Sequence, residues 1–306
     1  MPRVFLVIAF FSLICNIASA QDGRIFLSKD SGNIWKRMDE GFPQAAVVND
    51  LAYAKGVVLA GTQAHGVFVS RDELNTWQAS NQGLPKNIKV DALEIFENKI
   101  FLGSFKHGMF ISEDNGRSWR ASNTGLTDST VRCIHAFEDR VIAGTNNGIY
   151  ISTDKGKTWR NIFPRRQING ITSMDGKIYV AGADGIFLSL NKGEYWQFIY
   201  RRASVHNIST NGKYVFVMSY EGPGRVWKTS DAGASWLKAD AGLPAVYTFQ
   251  IMNIGLRLIA CQWDGIYKSD NYANSWTKSS EGLPSGKAFK ELVITPFGII
   301  AARPGS

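Results

Sequence analysis

Residues 112–119 read Ser112-Glu113-Asp114-Asn115-Gly116-Arg117-Ser118-Trp119, and their Ser-x-Asp-x-Gly-x-x-Trp pattern, which we call the box, recurs along the chain. Complete copies lie at Ser28/Asp30/Gly32/Trp35, Ser152/Asp154/Gly156/Trp159 and, with Thr in place of Ser, Thr229/Asp231/Gly233/Trp236. Degraded copies lie at Ser70/Asp72/Trp77, Ser189/Gly193/Trp196 and Ser269/Trp276. The box tryptophans occupy positions 35, 77, 119, 159, 196, 236 and 276. A fixed spacing of about 40 residues predicts a repeat architecture and, in a β-rich unit, propeller blades.

The physical chemistry of the box is local. An alternating apolar run, Gly-Met-Phe-Ile-Ser at 108–112, precedes the turn, and a strand led by Trp follows it. The Asp side chain can accept hydrogen bonds from backbone N–H groups of the turn, Gly supplies a positive φ, and Trp is expected to pack against the next blade. The box is therefore interpreted as a folding device without a catalytic residue. Its structural aspartates are Asp30, Asp72, Asp114, Asp154 and Asp231.

The box resembles the Asp-box (BNR) repeat of sialidases, sortilin-type receptors, some xyloglucan-degrading enzymes and photosystem II stability and assembly factors. The resemblance covers essentially the whole chain after its first twenty residues, and it implies a β-propeller. It narrows the function little, because one propeller fold carries many different chemistries.

Each unit is predicted to contain four short strands, and in the clearest unit these are Val90–Phe96, Ile100–Ser104, Gly108–Ser112 and Ser118–Ser122. Six complete units run at about 46–83, 88–125, 130–164, 168–200, 204–240 and 246–282. The two ends of the chain supply the seventh, residues 287–306 with 21–41. The predicted fold is all-β: a seven-bladed β-propeller of four-stranded blades, closed by pairing the N- and C-terminal strands in one blade. Closure would hide the sheet edges that otherwise promote aggregation.

The first twenty residues are predicted to be a signal peptide. Arg3 supplies the positive charge, the run from Val4 to Ile14 is nearly all apolar, and Ala18-Ser19-Ala20 is a small-x-small cleavage site. The apolar run is short for a bilayer, and no other stretch is apolar enough, so no integral membrane segment is expected after cleavage. We therefore expect a secreted or periplasmic protein whose residues 21–306 form one propeller domain.

Charge and cysteine content limit the possible partners and cofactors. The formal net charge of +8 favours acidic partners, but export argues against nucleic acid. Cys133 and Cys261 lie in apolar runs three blades apart, so they are expected to be buried free thiols rather than a disulfide. No zinc signature, phosphate-binding glycine loop or Ser/His/Asp arrangement is present, so neither a metal nor a cofactor is predicted.

Arginine pairs occur at matching positions of two neighbouring units. Three loops that lead into an inner strand contain Gly-Leu-Pro, beginning at Gly83, Gly242 and Gly282, but these two carry Arg165-Arg166 and Arg201-Arg202 instead. Neighbouring blades should place the four guanidinium groups on one face, with Arg132 nearby. The planar guanidinium suits carboxylate or phosphate recognition, although exposed arginines are also ordinary surface residues. Photosystem II assembly factors of the resembled family carry a comparable arginine patch, without a motif that matches residue by residue.

The starts of the inner strands are predicted to line the mouth of a central channel. The residues at these positions are Asp50, Asp91, Arg132, Asn169, His206, Gln250 and Glu291. Two carboxylates are the minimum for glycoside hydrolysis, so Asp50, Asp91 or Glu291 are the candidate catalytic residues if the protein is an enzyme. A polar channel mouth without catalysis is the simpler interpretation.

The predicted function is an exported, non-catalytic binding or assembly propeller. It would dock an acidic protein segment or an anionic glycan on the arginine-bearing face, with Trp263 and Tyr220 as possible aromatic anchors. Two alternatives stay open: a glycan-active hydrolase similar to xyloglucanases, and a sugar-binding lectin that depends on Trp263. Sialidase activity is disfavoured, because Arg24-Ile25-Phe26 lacks the Pro of the Arg-Ile-Pro start found in sialidases.

Overall fold

The computed structural model describes residues 24–200, 204–219 and 225–304. The predicted signal peptide, Arg201, Arg202 and Tyr220 lie outside these described residues. Within them the regular elements are 28 β-strands. No helix of the described ranges is long and apolar enough to span a bilayer.

In chain order the strands are β1 (Ile25–Ser28), β2 (Lys36–Arg37), β3 (Val48–Ala54), β4 (Val57–Thr62), β5 (Val67–Ser70), β6 (Gln78–Ala79), β7 (Val90–Phe96), β8 (Lys99–Ser104), β9 (Gly108–Ser112), β10 (Arg120–Ala121), β11 (Val131–Phe137), β12 (Arg140–Thr145), β13 (Gly148–Ser152), β14 (Arg160–Pro164), β15 (Ile168–Met174), β16 (Lys177–Gly182), β17 (Gly185–Ser189), β18 (Gln197–Tyr200), β19 (Val205–Thr210), β20 (Val215–Ser219), β21 (Val226–Thr229), β22 (Leu237–Lys238), β23 (Thr248–Ile254), β24 (Arg257–Gln262), β25 (Gly265–Ser269), β26 (Thr277–Lys278), β27 (Glu291–Thr295) and β28 (Gly298–Ala302).

These strands form seven antiparallel sheets of four, which are the blades of a propeller. Blades 1 to 6 follow the chain from β3–β6 to β23–β26, and blade 7 combines β27 and β28 with β1 and β2. The innermost strands of neighbouring blades contact one another around a closed ring. The predicted all-β, seven-bladed propeller of four-stranded blades is therefore confirmed.

Blade 7 closes the ring by pairing the two ends of the chain. Strand β1 lies antiparallel to β28, with Ile25 opposite Ala302 and Ser28 opposite Ile299. The backbone N–H of Arg303 donates to the carbonyl oxygen of Arg24 at 3.0 Å, so the described ends of the chain lie side by side. Every residue of β1 is buried in the closed ring, as the predicted closure requires.

The complete boxes fold as their residues predict. In the box of blade 2, the Gly116 N–H donates to Ser112 Oγ at 2.8 Å, and the N–H groups of Arg117 and Ser118 donate to Asp114 Oδ1 at 2.9 Å. Burial acts to raise the pKa of Asp114, but hydrogen bonds from Ser118 and Ser112 outweigh it and lower the pKa to about 2. The aspartate is thus an ionised acceptor at the centre of the turn.

The degraded boxes make the same turn with less suitable residues. Leu74 and Ala273 stand where a complete box has Gly, and both adopt positive φ angles, of 73° and 61°. Their N–H groups still donate to Ser70 Oγ and Ser269 Oγ, both at 2.9 Å. Both side chains are buried in the core, and this burial offsets the backbone cost of about 1–2 kcal/mol that a side chain incurs at positive φ.

The box tryptophans pack against the preceding blade, so the expectation of contact with the next blade was wrong. The indole N–H of Trp119 in blade 2 donates to Ser80 O in blade 1 at 2.9 Å. The backbone N–H of Trp119 donates to Gln82 O at 2.9 Å. The contact runs backward because, in blades 1, 2, 5, 6 and 7, the loop that leaves the outer strand passes over the box turn of the blade that follows.

The Gly-Leu-Pro loops fit closely against that following blade. Gly83 has a φ of 87°, and a Cβ atom at this position would lie 2.0 Å from the carbonyl oxygen of Trp119. Gly282 has the same relation to Trp35 of blade 7, also at 2.0 Å. Glycine is therefore required here both by its φ and by the approach of a neighbouring backbone.

The outer strands differ in length between blades. Five blades have an outer strand of only two residues, whereas β14 of blade 3 and β18 of blade 4 extend over five and four residues. These are the two units that carry arginine pairs in place of Gly-Leu-Pro. The predicted outer strand Ser118–Ser122 of blade 2 was too long, because its regular pairing is confined to Arg120–Ala121.

The hydrophobic core is divided among the interfaces between blades. One cluster, for example, joins Ile25 and Ile300 of blade 7 to Leu51 and Val58 of blade 1. Cys261 is buried in another such cluster, and Cys133 is half-buried beside a third. Both cysteines are free thiols, as predicted, and burial raises the pKa of Cys133 to about 12, so neither is an activated nucleophile.

Candidate binding face and central channel

The seven inner strands surround a central cavity of about 570 Å³. Its lining is mainly polar and comes from the first residues of every inner strand. The described loops that lead into the inner strands lie at its mouth, and the described loops between second and third strands hydrogen-bond to them. We call this side of the propeller the mouth face.

A β-bulge near the start of six inner strands changes the predicted ring of channel residues. The register shifts between Val48 and Asp50 in blade 1 and between Val90 and Ala92 in blade 2. Asp50 is therefore level with Ala92, whereas Asp91 is the extra residue of its bulge. We call the position of the extra residue in each bulge the bulge level. In the predicted ring this level is occupied by Asp91, Arg132, Asn169 and His206. The next level inward is occupied by Asp50, Gln250 and Glu291. The expectation of a single ring was wrong, because an extra residue in a bulge has no Gly or Pro to mark it.

The carboxylate of Asp50 is occupied by the backbone. Its Oδ1 accepts the N–H of Leu51 at 2.8 Å, and its Oδ2 accepts the N–H of Leu93, in blade 2, at 2.6 Å. Burial raises the pKa of Asp50, while these two hydrogen bonds and the nearby Lys290 act against that rise. Asp50 thus links blades 1 and 2 at the point where the bulge interrupts regular pairing.

Two glutamates extend the acidic side of the channel. Burial raises the pKa of Glu94 to about 8, although its Oε1 accepts the N–H of Ala136 at 3.2 Å. Burial also raises the pKa of Glu291, against the effect of Lys290, whose Nζ lies 3.4 Å from Glu291 Oε1. The sequence analysis missed Glu94, although a second acidic residue after Asp91 in the strand Val90–Phe96 is a readable signal.

Side chains at the bulge level link neighbouring blades. Asn49 donates to Val90 O at 2.9 Å, and Asn169 donates to Val205 O at 2.8 Å. His206 Nε2 lies 2.7 Å from Thr248 O, so this nitrogen carries the proton and donates. Burial lowers the pKa of His206 to about 4, which keeps the ring neutral at physiological pH. Much of the polar lining therefore satisfies backbone groups rather than facing an empty channel.

Two charged side chains of the bulge level face the mouth. Asp91 forms an ion pair with Lys89 at 3.1 Å. Arg132 is half-buried, its Nη1 donates to Asn146 Oδ1 at 3.3 Å, and its buried Nε has no acceptor among the described residues. Arg132 is thus a cation with unused hydrogen-bonding capacity at the channel mouth.

The described arginine pair is exposed on the loop that enters β15. Arg166 forms an ion pair with Asp184, and its guanidinium lies 5.1 Å from the ring centroid of Phe187. Arg165 is exposed at a φ of 66°. Because Arg201 and Arg202 lie outside the described residues, only half of the predicted four-arginine cluster has a described position.

An aromatic row crosses the mouth face of blade 6 and reaches the channel. Trp263 is 59% exposed, and its ring stacks on Phe249 with centroids 5.8 Å apart. Phe249 contacts Tyr247 at 4.7 Å, and Tyr247 stacks on His206 at 4.1 Å. Trp263 was predicted as an anchor, whereas Phe249 and Tyr247 were missed, although they flank Thr248 at the start of an inner strand. Tyr220 lies outside the described residues.

Fold and site together define a seven-bladed β-propeller with a polar channel and, beside its mouth, an aromatic row that ends in the exposed Trp263. No known family profile matches the chain, and no curated protein matches it by sequence. Among solved structures, YCF48 from Cyanidioschyzon merolae is similar at a TM-score of 0.67 and 12% identity, covering 85% of this chain and 96% of that one. A structure of YCF48 bound to a D1 peptide gives a TM-score of 0.67, 14% identity, and coverage of 85% and 92%.

Two further structures are longer than this chain. The GH74 xyloglucanase from Xanthomonas campestris gives a TM-score of 0.64 at 14% identity, over 92% of this chain and 52% of the xyloglucanase. The extracellular domain of BT4673 from B. thetaiotaomicron gives 0.70 at 15% identity, over 92% of this chain and 40% of its own. At these identities the likenesses show the fold, and the neighbours include both a peptide-binding propeller and a glycoside hydrolase.

Proposed function

We propose that the protein is an exported, non-catalytic binding or assembly propeller whose mouth face docks an acidic segment of a partner protein. The observation that carries the proposal is the aromatic row that ends at the exposed Trp263. Trp is enriched at the centres of protein interfaces, and a 59% exposed Trp beside a channel mouth is a natural anchor. The likeness to a propeller solved with a bound peptide supports the same class of function.

Cations elsewhere on the mouth face, on blades 2 and 3 and on the loop into blade 4, give the preference for acidic segments. Arg132 offers a partly desolvated guanidinium at the channel mouth, where a carboxylate can bind two N–H groups in parallel. Lys106 and Arg165 are exposed on the same face and would act mainly by steering the partner. Arg166 contributes less, because Asp184 already neutralises its charge.

The test is a peptide-display selection on the immobilised protein, followed by affinity measurements with the enriched peptides. We expect acidic peptides, whose affinity falls steeply with added salt because the charges are exposed. Trp263→Ala and Arg132→Ala should each weaken binding by about tenfold or more, as expected for interface hot spots. Leu256→Ala is the matched control, since Leu256 is 72% exposed in the turn at the other end of β23.

Two results would contradict this function. Enrichment of neutral or basic peptides would mean that the cations do not determine which segment binds. Binding that Trp263→Ala and Leu256→Ala leave equally intact would move the site away from the mouth face.

A second candidate is a glycan-active hydrolase, favoured by one observation. Glu94 and Glu291 line the channel with raised pKa values, which is the property that a general acid needs. The backbone hydrogen bonds of Asp50 and the ion pair of Asp91 weigh against the two aspartates as catalytic residues. Release of reducing ends from xyloglucan by the wild type, abolished in Glu94→Gln or Glu291→Gln, would favour the hydrolase over the binding propeller.

A further inference from the structure

The box tryptophans differ in whether their indole N–H group has a hydrogen-bond acceptor. In five blades the indole nitrogen donates to the preceding blade, through the pairs Trp35 to Ser279, Trp77 to Met38, Trp119 to Ser80, Trp159 to Ser122 and Trp276 to Ala239. In blades 4 and 5, the buried Nε1 atoms of Trp196 and Trp236 have no acceptor in the described part of the chain. A buried donor without an acceptor is costly, so these two positions need an explanation.

The explanation lies in the outer strand of the preceding blade. Wherever the indole is bonded, the accepting residue directly follows a two-residue outer strand, as Ser80 follows Gln78–Ala79. In blades 3 and 4 the strand continues through that position, so Ile162 and Ile199 remain in β14 and β18. Ile162 and Ile199 are the extra residues of β-bulges in these two strands. Neither supplies the acceptor that the indole N–H meets in the other five blades, and the indole donor is left over.

In blade 5 the indole N–H group without an acceptor belongs to Trp236, whose side chain borders a cavity. Trp236, Trp227, Tyr200 and Ile199 form the walls of a pocket of about 370 Å³ between blades 4 and 5, together with Gly233, Ala234 and Ser235. The Trp236 and Tyr200 rings lie 5.0 Å apart, and the Nε1 of Trp227 is also buried without an acceptor in the described ranges. Two tryptophans whose buried indole N–H groups lack an acceptor thus line one small aromatic pocket.

The lining determines the chemistry of the ligand. None of the seven lining residues carries a charge, so an ionic ligand would gain no compensating partner. Aromatic walls favour a flat ring face, and two unpaired N–H donors require acceptor oxygens on the ligand. The volume lies near the lower end of small-molecule sites, about 300–1,000 Å³, which suits one ring.

We propose that the pocket between blades 4 and 5 is a subsite for one neutral pyranose unit of a glycan, held by Trp236, Trp227 and Tyr200. A sugar face packs against the aromatic rings. The indole rings turn on binding, so that hydroxyl and ring oxygens of the sugar accept hydrogen bonds from their two N–H groups, which are buried in the unbound protein. The subsite is separate from the aromatic row at the channel mouth, and it does not depend on the peptide-binding function proposed above.

The test uses methyl pyranosides of glucose, galactose and mannose as probes and follows the indole ¹H–¹⁵N signals of the full chain. We expect the Trp236 and Trp227 indole signals to shift on titration with at least one sugar, while the Trp276 signal stays in place because Ala239 already accepts its hydrogen bond. Trp236→Phe keeps an aromatic ring and removes the donor, so it should weaken binding by about fivefold, as for one lost hydrogen bond. Trp276→Phe is the matched control and should bind like the wild type.

A second variant keeps the test decisive if the tryptophan changes disturb folding. Ala234 is an exposed pocket residue, so Ala234→Trp should fill the pocket and abolish the shifts without altering the core. Arg117→Trp, at the equivalent box position of blade 2, is its control. The proposal is overturned if no pyranoside shifts the Trp236 signal at millimolar concentration, or if Ala234→Trp binds sugars as well as Arg117→Trp does.

Discussion

Glu94 shows how one residue of the channel can make stability depend on pH. In the folded protein its pKa is raised to about 8 by burial, whereas an unfolded Glu titrates near its usual value of about 4.3. Between these values the folded state holds a proton that the unfolded chain has released. The stability associated with the protonated carboxyl is therefore complete below the unfolded pKa and is lost as pH rises through the folded one.

Replacing the Glu94 carboxyl by an amide should remove this loss of stability with rising pH. We expect Glu94→Gln to gain about 1–2 kcal/mol over the wild type between about pH 5 and about pH 8, less than the full pKa shift implies because Glu94 borders the open channel. Denaturant unfolding at a series of pH values measures the difference. Glu113→Gln is the control: hydrogen bonds from Lys99 and Arg120 lower the pKa of Glu113, so its contribution is lost only as pH falls. Equal pH profiles for Glu94→Gln and wild type would contradict the shift.

At the residue scale the sequence predicted the box well and the channel poorly. The Asp, Gly and Ser positions of the box act within a few residues of one another, so their hydrogen bonds follow from spacing alone. The channel residues depend on a one-residue bulge, and its register is set by pairing with strands elsewhere in the blade. That pairing separated Asp50 from Asp91, and no local signal announced it.

At the scale of elements, the loops between blades depend on glycine for contact as well as for φ. Gly83→Ala would place a Cβ atom 2.0 Å from Trp119 O in the next blade, at a φ of 87°. Gly176→Ala would incur only the cost of its φ of 72°, because nothing lies within 4 Å of its Cβ position. We expect a loss of about 1 kcal/mol in the free energy of unfolding for Gly176→Ala and about 3 kcal/mol or more for Gly83→Ala.

Denaturant unfolding of both variants separates the two contributions. Similar losses would mean that the interface between blades relaxes around the added methyl group.

The Gly-Leu-Pro loops themselves were readable from sequence as recurring turn signals. The lengths of the outer strands were not, because the backbone groups of β14 and β18 are paired in a stretch whose side chains show no clear alternation.

At the scale of the whole molecule, the ring should fold as a unit that needs all seven blades. Deleting Lys287–Ser306 removes β27 and β28 and uncovers β1, whose four residues are buried in the closed ring. We expect this truncation to aggregate, because an exposed apolar strand edge recruits other chains. Size-exclusion chromatography and thermal melting are the measurements, and a monomeric truncation with a sharp melt would contradict the role of closure.

A circular permutant provides the control for chain connectivity. Arg303 and Arg24 are joined by a backbone hydrogen bond, so a short linker can connect them, and the new ends can be placed in the exposed turn at Glu97-Asn98. The permutant keeps every strand and should melt cooperatively.

The number of blades and the sharing of blade 7 between the two chain ends were predictable from sequence. Both follow from counting the periodic box and noting which strands each end of the chain lacks. The pocket between blades 4 and 5 was not, because it arises where two departures from the repeat meet.

The pairing of the two chain ends in blade 7 also determines how the molecule responds to force. Strands β1 and β28 are antiparallel, and the pair Ile25–Ala302 lies at the end of the ladder from which both ends of the chain leave. Tension applied to the two ends therefore loads one hydrogen-bonded pair at a time, in an unzipping geometry, rather than shearing all of them together. A ring that resists heat through cooperative packing would thus open at low force along this one seam, and blade 7 would be the first to separate under mechanical load.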